Sequence, residues 1–117
     1  MPLIIVDTPL GSVAVNPADV FCVLPEPQTP DEDCEIRYDS PKHVLATETA
    51  DTIAQRVGGD FRRLDAASLD FSYVWINAYK VASVVPHPQV PDVCFVLSAT
   101  RKLAVKGDLT AALAALA

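Results

Sequence analysis

Glycine, aromatic residues and cations are all scarce in this 117-residue chain. With four glycines there is no glycine-rich phosphate cradle, and Gly58-Gly59 follows a helical pattern instead of opening one. Aromatics make up only 7%, so Val, Leu, Ile and Ala must fill the core; half of the residues are hydrophobic, which excludes global disorder. No apolar run approaches the roughly 20 residues of a bilayer span. The start of the chain lacks the basic region and long apolar stretch of a signal peptide. The expectation is a soluble, unexported protein, cytoplasmic or carried in a virion, without a membrane partner.

Nine Lys and Arg stand against fifteen Asp and Glu, a formal net charge of −6. Proteins that bind nucleic acid use Lys and Arg to displace counterions from phosphates, so this balance predicts no nucleic-acid partner. Arg62-Arg63, Arg101-Lys102 and nearby Lys106 read as solvated loop and strand-end charges; their gathering on one face would reverse that reading. Cys22, Cys34 and Cys94 contain no C-x-x-C pair and read as free, buried thiols. Their spacing to His43 and His87 fits no ordinary zinc pattern, and neither metal nor cofactor is expected.

What the chain does have is an internal repeat. The segment from Val13 to Asp31 aligns at an offset of 61 with the segment from Val74 to Asp92, and nine of the nineteen pairs are identical, among them Asn16/Asn77, Pro25/Pro86, Gln28/Gln89 and Asp31/Asp92. A one-residue gap then places Cys34 on Cys94 and Lys42 on Lys102. Thr49 and Asp108 are equivalent N-caps, each followed by one apolar stripe at helical spacing: Ala50, Ile53, Ala54 and Val57, then Leu109, Ala112, Leu113 and Leu116.

Strand patterns precede each helix. They fall at residues 3–6, 12–15, 20–24, 35–38 and 43–46, and again at 71–76, 81–85, 95–97 and 103–105. Pro25 stops the third run because proline has no N–H for a ladder. Residues 61–69 follow no clear period. The predicted fold is α+β: two tandem antiparallel β-sheet units, 1–59 and 60–117, each followed by a short C-terminal helix and packed together with pseudo-two-fold symmetry. Units of this size make marginal cores alone, which predicts one compact body.

The run Val13-Ala14-Val15-Asn16-Pro17-Ala18-Asp19-Val20, the proline-bearing turn, the Ile36 strand and residues 44–57 resemble small FlbD-like proteins of flagellar operons. The second half is similar to LytTR-type DNA-binding domains, above all in Lys80-Val81-Ala82-Ser83-Val84-Val85 and in the stretch from Leu103 to Leu116. That resemblance implies a transcription-regulator module with basic residues on loops that face DNA. The chain departs from it in being acidic.

The loops starting at Pro25 and Pro86 share the pattern P-x-P-Q-x-P-D. Prolines pre-order an extended loop and lower the entropy lost on binding, so Pro25, Pro27, Gln28, Pro30, Pro86, Pro88, Gln89 and Pro91 are candidate partner contacts. The alternative is a stiff connection that ends a strand and blocks edge pairing. Asp31, Glu32 and Asp33 form an acidic tip without the alternating ligands and turn glycine of a calcium loop. Trp75 and Tyr79 stand where the first half has Ala14 and Ala18, an asymmetry that marks a contact surface or fills core space.

No nucleophile, base and orienting group stand out together, so no catalytic residue is expected. The favoured reading is a non-catalytic structural or protein-interaction protein: a phage virion component such as a capsid decoration, minor head or connector subunit, with protein partners and self-association in a larger assembly. The alternatives are a LytTR-like or FlbD-like regulatory DNA-binding module, and a small enzyme dependent on Cys34 or Cys94.

Overall fold

The computed structural model describes residues 3–117. The first half opens with a hairpin of β1 (Ile4–Thr8) and β2 (Gly11–Val15). Gly11 has φ +116°, a backbone region that side chains other than glycine's strain to enter. A 3-10 turn, Pro17–Asp19, is capped by the Asn16 side chain, which accepts from the Ala18 N–H. A meander of β3 (Val20–Pro25), β4 (Cys34–Tyr38) and β5 (His43–Ala46) follows, and α1 (Ala50–Val57) closes the unit.

The second half repeats this order. β6 (Phe61–Asp65) and β7 (Tyr73–Asn77) form the hairpin, and Ala78–Lys80 forms a 3-10 turn capped by Asn77. β8 (Ser83–Pro86), β9 (Val93–Leu97) and β10 (Lys102–Lys106) form the meander, and α2 (Leu109–Leu116) ends it. Both helices are capped where the sequence predicts: Thr49 accepts from Thr52 N–H and Asp108 from Ala111 N–H. The fold is thus α+β, built from tandem antiparallel units that each carry a C-terminal helix.

Strand ends shift by a residue or two from the sequence reading. Residue 81 ends the second 3-10 turn instead of opening a strand, since its N–H bonds to the Ala78 carbonyl. β6 was hidden because Phe61 and Leu64, three residues apart, bury against opposite faces of a covered sheet, which erases the period-2 signal.

The halves join through β3. It pairs with β4 on one side and with β7 on the other, so the second hairpin completes a five-stranded sheet of order β5-β4-β3-β7-β6. The junction is one-sided. β1-β2 and β8-β9-β10 remain separate sheets, and the equivalent pair of β8 with β2 is not formed among the described residues.

Strand β3 sits in the middle of everything, and all six of its residues are buried. Val20 and Val23 belong to a core closed by α1 and the β1-β2 hairpin, with Ile36, Ile53, Val57 and Phe61. Phe21, Cys22 and Leu24 belong to a second core with Val74, Ile76, Val96, Val105 and Ala112. A strand covered on both faces needs no polar side, hence its unbroken apolar run. Each of its large side chains contributes about 1.5–3 kcal/mol by leaving water.

Candidate nucleic-acid interface

The β4–β5 loop and the β9–β10 loop belong to different halves, yet they lock together. Asp39 Oδ1 accepts from Ser98 Oγ at 2.6 Å, from Thr100 Oγ1 at 2.7 Å and from the Thr100 N–H at 3.2 Å. In the other direction Arg101 Nε donates to the carbonyls of Tyr38 (2.6 Å) and Ser40 (2.9 Å), and its Nη2 donates to that of Lys42 (2.9 Å). Partial burial raises the Asp39 carboxyl, but the hydrogen bonds from Ser98 and Thr100 and the charge of Lys80 outweigh it and hold the group below the usual carboxylate range. Asp39 is therefore an anion at neutral pH, and the loop pair is fixed by charge-assisted bonds.

This double loop gathers cations. Arg37, Thr100, Arg101 and Lys102 line a hollow of about 240 Å³ floored by Phe21, Cys22 and Leu103. Lys42 and Lys80 line a neighbouring groove with Asn16, Asp19, Tyr38 and Asp39. Five of the nine cations of the chain thus meet around two loops, with Glu35, Asp19 and Asp39 as their acidic neighbours. Arg37 is tied to Glu35 at 3.2 Å, and Lys102 lies over the Phe95 ring with its ammonium 4.6 Å from the centroid. Arg101 spends only two of its nitrogens on carbonyls, which leaves N–H donors to spare on the guanidinium.

The five cations singled out from the sequence do not form one face. Arg101 and Lys102 are together at the loop pair. Arg62 is folded back onto the carbonyls of Gly59 and Ala117. Arg63 stacks on Tyr73, 4.1 Å from the ring centroid, and Lys106 ends β10 at the other end of that strand. Sequence reasoning missed Arg37, Lys42 and Lys80, although one signal was in reach: the repeat aligns Lys42 with Lys102, placing a cation at the equivalent loop of each unit.

The proline loops lie at the opposite end of the meanders. Pro25 is buried at the end of β3, and Pro27, Gln28 and Pro30 are exposed on the β3–β4 connection, which Thr29 fastens by donating to Asp33 at 2.7 Å. Pro86, Pro88, Gln89 and Pro91 are exposed on the β8–β9 connection, where His87 Nδ1 accepts from the N–H groups of Gln89 and Val90 at 3.0 Å each. The acidic tip of Asp31, Glu32 and Asp33 is on the first of these loops, at the opposite end of β4 from Arg101 and Lys102. Trp75 packs under α1 and donates its Nε1–H to Asp51 at 2.7 Å, whereas Tyr79 is exposed.

The cysteines are unsuited to nucleophilic work. Burial pushes the thiols of Cys22 and Cys34 up to about 12 and raises that of Cys94 as well. An activated thiol needs the opposite shift. His43 is exposed on β5, and His87 is stacked on Phe95 and committed to its own loop.

Compared by sequence, the chain matches no family model and no curated protein. Compared by structure, it is similar to the LytTR DNA-binding domain of a protein assigned as a methyl-accepting/DNA response regulator, from Bacillus cereus, with a TM-score of 0.64 over 99% of this chain and 96% of that one. The chain shares the fold of a LytTR domain. Identity between the two is 8%, so the likeness is one of architecture.

Two expectations are corrected by this match. The virion reading, with its capsid-decoration, minor head and connector variants, rested on small size, acidity and the lack of motifs; the fold instead belongs with a DNA-binding domain. The expectation against a nucleic-acid partner rested on a net charge of −6, a sum that hides how charge is distributed. The second half, residues 60–117, holds six of the nine cations but only five of the fifteen acids. No helix among the described residues is long and apolar enough to cross a membrane.

Proposed function

We propose that this chain is a LytTR-like DNA-binding module, non-enzymatic, which meets duplex DNA with the paired β4–β5 and β9–β10 loops. The observation that carries the reading is the convergence of Arg37, Lys42, Lys80, Arg101 and Lys102 on those loops in a fold shared with a DNA-binding domain. Phosphate oxygens would accept from Lys102, Lys42 and the spare N–H groups of Arg101, which position the protein without specifying sequence. The hydrogen-bonded clamp of Asp39 and Arg101 holds the loops in place before contact, so little ordering entropy is lost on binding.

Fluorescence anisotropy with a labelled mixed-sequence duplex at low salt tests this. Binding is expected to weaken linearly in log salt with a slope of about −0.9 per phosphate neutralised. Lys102→Ala and Lys42→Ala should each reduce that slope by about one, while Lys106→Ala and Arg63→Ala leave it unchanged. Glu35→Gln should tighten binding, because it frees Arg37 from its ion pair. Absence of low-salt binding, or equal losses from all four cation variants, would refute the assignment.

A further inference from the structure

The one-sided junction between the halves leaves two surfaces uncovered, and each is the repeat counterpart of a surface that the junction buries. We infer that these free ends fit one another, so that the β1-β2 hairpin of a second copy docks on β8 and α2 of the first, head to tail, as β6-β7 docks on β3 and α1 within the chain. The inference does not depend on DNA binding.

The burial of equivalent residues carries the argument. Within the chain, β7 pairs with β3 at Cys22↔Ile76 and Val23↔Trp75. An offset of 61 converts these into Ser83↔Val15 and Val84↔Ala14 between two copies. On the docking side, Leu24 and Ala54 are 1% and 4% exposed, whereas their counterparts Val85 and Leu113 are 41% and 51% exposed. On the hairpin side, Phe61 pairs with Asn77, and its counterpart Leu3 stands one residue before the Ile4↔Val15 pair; Phe61 is 6% exposed and Leu3 60%. Ile5 shares that outer face and is exposed too. Leu3, Ile5, Val85, Leu109 and Leu113 are thus exposed where a third repeat unit would sit.

Three further observations suit a second copy. The edge of β8 reads Ser83-Val84-Val85 and that of β2 reads Ser12-Val13-Ala14-Val15, without the lysines or inward charges that natural edge strands use to block pairing. The volumes are exchanged: the inner junction sets Ala50 and Ala54 of α1 against a hairpin bearing Trp75, while the outer one would set Leu109 and Leu113 of α2 against a hairpin bearing Ala14. Finally, Asn77 Nδ2 bonds across the inner junction to the Val20 and Pro17 carbonyls, and its counterpart Asn16 has no partner for Nδ2 among the described residues. In a second copy Asn16 would reach the carbonyls of Val81 and Ala78.

Such a contact is heterologous, joining a head to a tail, and therefore leaves a free head and a free tail on every assembly that has not closed into a ring. Sedimentation velocity of the full chain over a wide concentration range is expected to show mass increasing past the dimer. Leu113→Lys blocks the tail and Leu3→Lys, at the counterpart of the buried Phe61, blocks the head; both positions are exposed, so each variant should keep the wild-type circular dichroism. Each alone should be monomeric, and an equimolar mixture should form a one-to-one dimer and nothing larger. A wild type that stays monomeric at every concentration overturns the inference. So does dimerisation of either variant alone, which would reveal a self-complementary patch elsewhere, or a mixture that remains monomeric.

Discussion

Asn16 and Asn77 are a matched pair for measuring what holds the halves together. Both cap a 3-10 turn in the same way, with the side-chain oxygen accepting the N–H two residues on at 3.1 Å. Only Asn77 is buried, and only Asn77 extends its amide to the other half, at 2.9 Å to the Val20 carbonyl and 3.4 Å to that of Pro17. Asn16→Ala removes a cap and should destabilise by about 1 kcal/mol. Asn77→Ala removes the same cap and also strands a buried carbonyl, which costs about 1–3 kcal/mol more. The total for Asn77→Ala is therefore about 2–4 kcal/mol. Urea unfolding at low protein concentration reads the difference as a shift of midpoint at constant slope. Equal losses from the two variants would show that the amide bridge does not couple the halves and would refute the reasoning. A changed slope for Asn77→Ala alone would point instead to separate unfolding of the two units.

Other measurements probe the loop clamp and the thiols. The folded-state pKa of Asp39 is depressed, so its contribution is fully present above the unfolded carboxylate value near 3.9 and is lost as pH falls through the lower folded value. The stability gap between wild type and Asp39→Asn should accordingly narrow below about pH 3.9; a gap that stays constant into acid would remove the clamp from the account. With Cys22 and Cys34 pushed up to about 12 and all three thiols buried, none should react with a disulfide reagent at mildly alkaline pH until the fold opens. Labelling of any thiol at the rate of a free peptide would contradict the burial of that strand.

Much of the architecture was legible because it is local and repeated. Thr49 and Asp108 announce their helices through cap chemistry followed by apolar spacing, and Pro25 and Pro86 mark the ends of equivalent strands. The repeat placed Asn16 and Asn77, Cys34 and Cys94, and Lys42 and Lys102 in matching roles. What stayed hidden is non-local. That β3 pairs with β7 follows from no period in either segment, and without that pairing nothing brings residues 39–42 beside residues 98–101. The cation cluster is a product of that meeting, so Arg37 and Lys80 carried no mark in the sequence. The asymmetry of Trp75 against Ala14 was visible, and its meaning came only with the junction: Trp75 is packed under α1 where the second hairpin docks.

The uneven spread of charge along β4 gives the molecule a direction. Glu26, Asp31, Glu32 and Asp33 sit on the loop before the strand, and Arg37 and Lys42 at and beyond its other end, across about 13 Å of extended chain. A separation of that size exceeds the Debye length of about 8 Å at physiological ionic strength, so the two poles act on their surroundings nearly independently. Near a polyanion the cationic pole is drawn in while the acidic pole is pushed away, a torque that turns the body before it touches. The negative total then works for selectivity of approach: it disfavours encounters made in any other orientation.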